Sequence, residues 1–313
     1  MLAILGIALF IPSSSYEPEP TGFDLSDLNP PQPVNSLFTD DPRQDVGVTP
    51  LTKPGPFTIE QLQAKLSSFE ASASFVAIGD YPLGSHEIEV LQPVVGAILE
   101  EEYLLGFLIL DINTGWGIAY NADELFYSAS SIKGIYAASL ASAEPNSIVT
   151  WSDSIFLAVH DSDNDEYFSL RSSFGHDPMT TWCNEAGVDP SIDEEWFPDY
   201  SPRTLAKLWL RNYQYFESGV ENIDVVKSWY VGAYNSTIQE NLGWYYDIFT
   251  KPGWIAEDGL FATIDAGIIY AGDKPYLMIV MTDAPKDFEA LDALVLSLDK
   301  LHGYMYLRPN FTY

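Results

Sequence analysis

The chain reads as an α+β protein: an antiparallel sheet flanked by N- and C-terminal helices, with an all-helical subdomain inserted between its strands. Three observations predict it. Strand patterns sit in two distant blocks, around residues 103–120 and again from Trp254 to Thr282. Between them, from Gly134 to about Gly243, the chain is a series of helical segments joined by polar loops. Helical patterns precede the first strand block and follow the last, so both blocks must share one sheet whose faces the end helices help to cover.

Each element has a local cause. Residues 1–12 are an apolar run, too short for the roughly 20 residues a membrane-spanning helix needs. With no lysine or arginine ahead of them they read as the remainder of a longer secretory leader or anchor. Prolines recur among Ser, Asp and Asn up to Pro56, a linker composition, so residues 1–57 are set apart from a folded domain at 58–313. Thr58 with Gln61 forms a capping box, and Ile59, Leu62, Leu66 and Phe69 mark one face of a short helix. Glu87–Glu102 gives a second helix, in which Pro93 is tolerable only near the start or at a kink. Tyr103–Ile112 is a strand by its Leu-Gly-Phe-Leu-Ile-Leu content, and Asn113-Thr-Gly115 turns it into Trp116–Tyr120. Ser201 and Pro202 open a helix to Phe216, as cap and first-turn residue. Gly259–Tyr270 and Tyr276–Thr282 are neighbouring strands, and Phe288–Leu301 is the closing helix.

Composition bounds the function. With 313 residues and 47% hydrophobic side chains the chain can fill a large core. Its net charge of -31 argues against partners that are nucleic acids or anionic membrane surfaces, since both would repel it. One cysteine, Cys183, excludes an internal disulfide and a cysteine-based zinc cluster. Asp161-Ser-Asp163-Asn-Asp165 mimics the start of a calcium loop, but Glu166 stands where the sixth-position glycine belongs and Ser172 where the closing glutamate belongs. No Gly-x-Ser-x-Gly elbow occurs, and His86, His160, His176 and His302 are scattered.

The chemistry concentrates at Tyr127-Ser-Ala-Ser-Ser-Ile-Lys-Gly134. Ser130 and Lys133 are three apart, which on a helix puts them on one face, where an amine can lie beside a hydroxyl. The helix start adds a positive field. A serine there can become a nucleophile. Ser162-Asp163-Asn164 follows 32 positions after Ser130, and Lys251-Pro252-Gly253 follows 87 after Asn164. Either alone would be an ordinary turn. In this order the three stretches resemble the Ser-x-x-Lys, Ser-Asp-Asn and Lys-Thr-Gly signatures of class A β-lactamases and penicillin-binding proteins. The resemblance runs from about Glu89 to the C-terminus, and Asp111-Ile-Asn-Thr-Gly115 is similar to the family's first hairpin.

The resemblance implies a β-lactamase/transpeptidase-like fold and a serine hydrolase that forms an acyl-enzyme on Ser130. Lys133 would be the base and Ser162 the donor to the leaving group. Asn164, Lys251, Gly253 and Trp254 would bind substrate, and the backbone N–H groups of Ser130 and Trp254 would form the oxyanion hole. It implies no metal, no organic cofactor, and a monomer acting on a small-molecule or peptidoglycan-like substrate outside the cytoplasm, secreted or attached to a membrane by its N-terminal segment. A D-alanyl-D-alanine peptidase, an esterase, or a cell-surface domain without turnover would use the same scaffold. Two departures bear on mechanism. Pro252 replaces the hydroxyl residue that helps to grip a substrate carboxylate. Only fourteen residues, 188–201, separate Gly187 from Pro202. The family's deacylating glutamate motif is absent from them. Asp193, Glu194 and Glu195 are the acids near enough to stand in, and they read as a solvated loop.

Overall fold

The computed structural model describes residues 56–257 and 259–307; the apolar run at 1–12 and the proline-rich stretch to residue 55 lie outside the described residues. In chain order, α1 (Ile59–Ser68), β1 (Val76–Ile78) and α2 (Ser85–Glu100) lead into β2 (Leu105–Asp111), β3 (Gly117–Tyr120) and β4 (Phe126–Tyr127). The helical section holds α3 (Ile132–Ala143), α4 (Ser147–Thr150), α5 (Ser152–Phe156), α6 (Asn164–Phe174) and α7 (Asp177–Ala186). It continues with a short strand β5 (Asp199–Tyr200), then α8 (Pro202–Phe216), α9 (Ile223–Ser228) and α10 (Thr237–Leu242). β6 (Asp247–Thr250), β7 (Gly253–Glu257), β8 (Leu260–Ala271), β9 (Lys274–Thr282) and α11 (Glu289–Leu307) complete it.

The large sheet is antiparallel, ordered β1-β3-β2-β9-β8, with β6 and β7 both lying along β8. The early and late strand blocks meet where β2 pairs β9, Leu108 opposite Ile279. Both faces are covered, which is why the central strands are apolar throughout rather than alternating. Along β9, Leu277, Ile279 and Met281 join Leu108, Ile135, Leu205 and Trp209 in the core shared with the helical section. Tyr276, Met278 and Val280 point the other way, against Leu91, Val95, Leu294 and Leu298 of α2 and α11. The period-2 geometry of a strand thus divides one apolar run between two cores.

The expected elements are present, together with an edge strand that was not expected, β1, which pairs β3 with Val76 opposite Ala119, and with four further differences. The sheet resumes at Asp247, before the expected Trp254, because β6 pairs the far half of β8, Asp247 opposite Tyr270. The helical section is not wholly helical: β5 pairs β4, Phe126 opposite Tyr200. The closing helix runs to Leu307. Pro93 stands inside α2 rather than near its start. It is exposed there, so the carbonyl it leaves without a donor faces water. The capping box at Thr58 and Gln61 forms as expected.

Candidate active site

Ser130 lies in a single 3₁₀ turn, Ala129–Ser131, that runs directly into α3. The backbone of Ser131 and Ile132 is right-handed helical, so Lys133 still falls one turn on from Ser130. Ala129, just before the serine, has φ +43°, a left-handed conformation that a residue with a Cβ adopts at some cost. Such strain persists only where the surroundings hold it. Here the clamp is Ser131, whose hydroxyl donates to Ser128 O at 2.6 Å and pairs with the buried Tyr200 hydroxyl.

Lys133 is 1% exposed on α3. Its Nζ donates to Ser162 O and to Asn164 Oδ1, both at 2.6 Å. These acceptors come from a second irregular segment, a π-type turn at Leu157–Asp161 that ends in Ser162 at φ +65°. Asp163 then caps α6 by accepting from Glu166 N. Asn164 is exposed to solvent, whereas Ser162 is half-buried.

Lys251 enters from the gap between β6 and β7. Its N donates to Ala266 O at 3.0 Å, and its Nζ donates to Ser162 Oγ at 2.7 Å. Two glycines permit this approach. A Cβ on Gly134 would stand 2.7 Å from Lys251 Cβ, so the side chain can lie along α3 only because Gly134 has none. A Cβ on Gly253 would stand 2.5 Å from Ser128 O and Ser131 N and 2.9 Å from Ser130 N. Gly253 therefore lets the β7 edge touch the backbone of the serine turn, the arrangement an oxyanion hole formed from Ser130 and Trp254 requires. The Trp254 ring is half-buried, 5.8 Å from Lys251 Nζ, between Tyr234 and Phe288.

All seven expected residues, Ser130, Lys133, Ser162, Asn164, Lys251, Gly253 and Trp254, thus sit on segments in mutual contact. Two buried ammonium groups drawn up to one residue, Lys133 on the Ser162 carbonyl and Lys251 on its hydroxyl, cannot both keep their protons easily. Burial lowers the Lys133 pKa to about 7, with Asp163 pulling the other way. Burial, and then the charge of Lys133, push Lys251 well below its ordinary value, opposed by Asp265 and Asp161. Burial thus favours the neutral form of both amines, the form in which an amine can accept a proton.

Several neighbours were not anticipated. Asp265, on β8, is fully buried and accepts from Ser236 Oγ at 2.7 Å and Ile238 N at 2.9 Å at the start of α10. Burial raises its pKa to about 6, and Lys251 moderates the rise. A lone carboxylate in the strand Thr263-Ile-Asp-Ala-Gly-Ile-Ile269 is a signal that could have marked it. Tyr167 and Phe197 lie over Lys133 Nζ at 5.7 and 5.9 Å from their ring centres. Nothing local in the sequence announces them. His160, two positions before Ser162, pairs with Asp161 and stacks on Phe156.

The three acids of the short loop separate in the structure. Asp193 is buried in a 3₁₀ turn, with Oδ1 3.0 Å from Arg171 Nη1 and Oδ2 3.1 Å from His176 Nδ1. Its carbonyl also accepts from Arg171 Nη2 at 2.9 Å. Asp193 is a structural anchor, against the reading of all three acids as a solvated loop. Glu194 and Glu195 are exposed as expected. Glu195 acts electrostatically on Tyr127, whose pKa is raised chiefly by burial and further by Asp199 and Glu195. A hollow of about 610 Å³ beside this loop is lined by His176, Asp189, Asp193 and Glu194 and by none of the seven expected site residues.

Comparisons with known proteins bear on the family and the fold. Residues 136–298, just over half of the chain, match the model of the β-lactamase enzyme family. The match begins after Ser130 and Lys133. No curated protein matches the sequence. Solved structures similar in fold include the class A β-lactamase from Mycobacterium abscessus, at 16% identity and TM-score 0.55, over 68% of this chain and 99% of that one. Another is the β-lactamase from Streptosporangium roseum, at 18% identity and TM-score 0.55, over 70% and 99%. A third is a halotolerant bacterial β-lactamase, at 15% identity and TM-score 0.55, over 67% and 98%. With its sheet, its helical insertion and a family match over more than half its length, the chain belongs to the β-lactamase family.

Proposed function

We propose that the protein is a serine hydrolase of the β-lactamase type that acts outside the cytoplasm through an acyl-enzyme on Ser130 and reacts with β-lactams. The observation that carries this reading is the hydrogen-bonded chain from Lys133 through the Ser162 segment to Lys251, drawn up against the serine turn by Gly253. In acylation the neutral amine of Lys133 takes the Ser130 proton as Oγ attacks the carbonyl carbon. Backbone N–H groups of Ser130 and Trp254 hold the developing oxyanion. Ser162 protonates the leaving group, and Lys251 keeps the Ser162 hydroxyl oriented. Asn164 binds the acyl side chain.

Deacylation is the slow half. It needs a base held over a water on the far side of the acyl carbonyl. Asp193, the buried acid of the loop, is held by Arg171 and His176. The space over Lys133 is occupied by Tyr167 and Phe197. Intact-protein mass spectrometry during nitrocefin addition is expected to show a stoichiometric adduct on Ser130, with a burst followed by slow turnover. Fast steady turnover without adduct would overturn this, and its loss in Glu194→Gln or Glu195→Gln would identify the base.

A further inference from the structure

We propose, building on the acyl-enzyme reading above, that the cleft selects acyl donors without a carboxylate beside the scissile bond: neutral esters or amides with an aromatic or aliphatic flank. A carboxylate bound next to Ser130 would need cations or donors to replace its water. The wall running on from Gly253 supplies few. Lys251 is 0% exposed, and its Nζ donates to Ser162 Oγ at 2.7 Å. Pro252, buried beside it, has neither a hydroxyl nor an N–H to donate.

The next residue is apolar. Trp254 packs edge-on against Tyr234 and Phe288, with ring centres 6.0 and 5.7 Å away, and Tyr234 is 61% exposed. The three described arginines are engaged elsewhere, Arg171 with Asp193, Arg203 with Asp123 and Arg211 with Glu185. Lys286, close in sequence to Phe288, is 3.4 Å from Glu257. On either side of Ser162 in sequence, Asp161 and Asp163 are exposed and act electrostatically on Lys251 and Lys133 respectively. The whole chain carries a net charge of -31. An anion therefore meets repulsion on approach and an aromatic wall on arrival, whereas an uncharged aryl or alkyl group gains the wall as a binding surface.

The chemistry is ordinary acyl transfer. Ser130 Oγ bonds to the carbonyl carbon and the bond to the leaving oxygen or nitrogen breaks. Lys133 takes the Ser130 proton, Ser162 gives its own to the leaving group, and the proton held by the lysine pair that contacts Ser162 then replaces it, so Ser162 and the neutral amine are both restored. Water later releases the acid and returns the serine.

The test compares matched pairs that carry the carboxylate on the leaving-group side: benzylpenicillin with its methyl ester, and 3-(phenylacetoxy)benzoic acid with its methyl ester. Ser130 acylation is followed by intact mass, with each rate divided by that compound's hydroxide-catalysed hydrolysis. The neutral member of each pair is expected to acylate at least about tenfold faster, an increment that corresponds to one lost charge-assisted contact. Tyr234→Ala should raise KM for the neutral members, and Pro252→Thr should narrow the gap by speeding the anionic ones. Equal or faster acylation by the anionic members would overturn the proposal while leaving the acyl-enzyme reading intact. No acylation by any of the four, in folded protein, would overturn both.

Discussion

Replacing Lys133 by alanine is expected to slow acylation of Ser130 by about 10² to 10⁴-fold, the usual loss when a general base is removed. Arginine should not restore it, because a guanidinium stays protonated at any pH the protein survives. The wild type should also show a pH signature. In the proposed mechanism the working form of Lys133 is the neutral amine, and burial lowers its pKa to about 7. Acylation should therefore rise with pH through about 7 and fall away in acid. Stopped-flow acylation across pH 5–9 reads both effects, with circular dichroism to show that each variant is folded. Full rates in Lys133→Arg, or a flat profile in the wild type, would remove Lys133 from the role of base.

The second large effect concerns stability. Arg171 and Asp193 are both almost wholly buried, on α6 and the short loop, and the guanidinium also lies 5.3 Å from the centre of the Trp196 ring. Removing one partner strands the other charge without water, which typically costs about 3–5 kcal/mol. Arg171→Met should lower stability by that order in urea unfolding followed by tryptophan fluorescence. Replacing both, Arg171→Met with Asp193→Leu, should recover much of the loss, because an apolar pair needs no desolvation. A change under about 1 kcal/mol in the single variant would show that the pair is not the anchor. The same substitution loosens the loop that presents Phe197 to Lys133, so deacylation should accelerate as water gains access.

The division between sequence and tertiary structure follows the range of the forces involved. Capping at Thr58 and Ser201, the turn after Asp111, the apolar strands and the closing helix depend on neighbours a few residues away, so periodicity and cap chemistry were enough to place them. The candidate residues Ser130, Lys133, Ser162, Asn164, Lys251, Gly253 and Trp254 were legible because their order and spacing are a pattern along the chain. Their state was not. That Lys251 is fully buried beside Lys133, that Asp265 lies beneath it, and that Phe197 covers the amine depend on α3, β8 and the loop before α8 meeting across long stretches of chain. The same holds for Asp193, which as a letter is one acid among 45 acidic residues and in the fold is a buried partner of Arg171. A charge takes its chemistry from the dielectric and the partners around it, and these exist only once the sheet and the helical section have closed on each other.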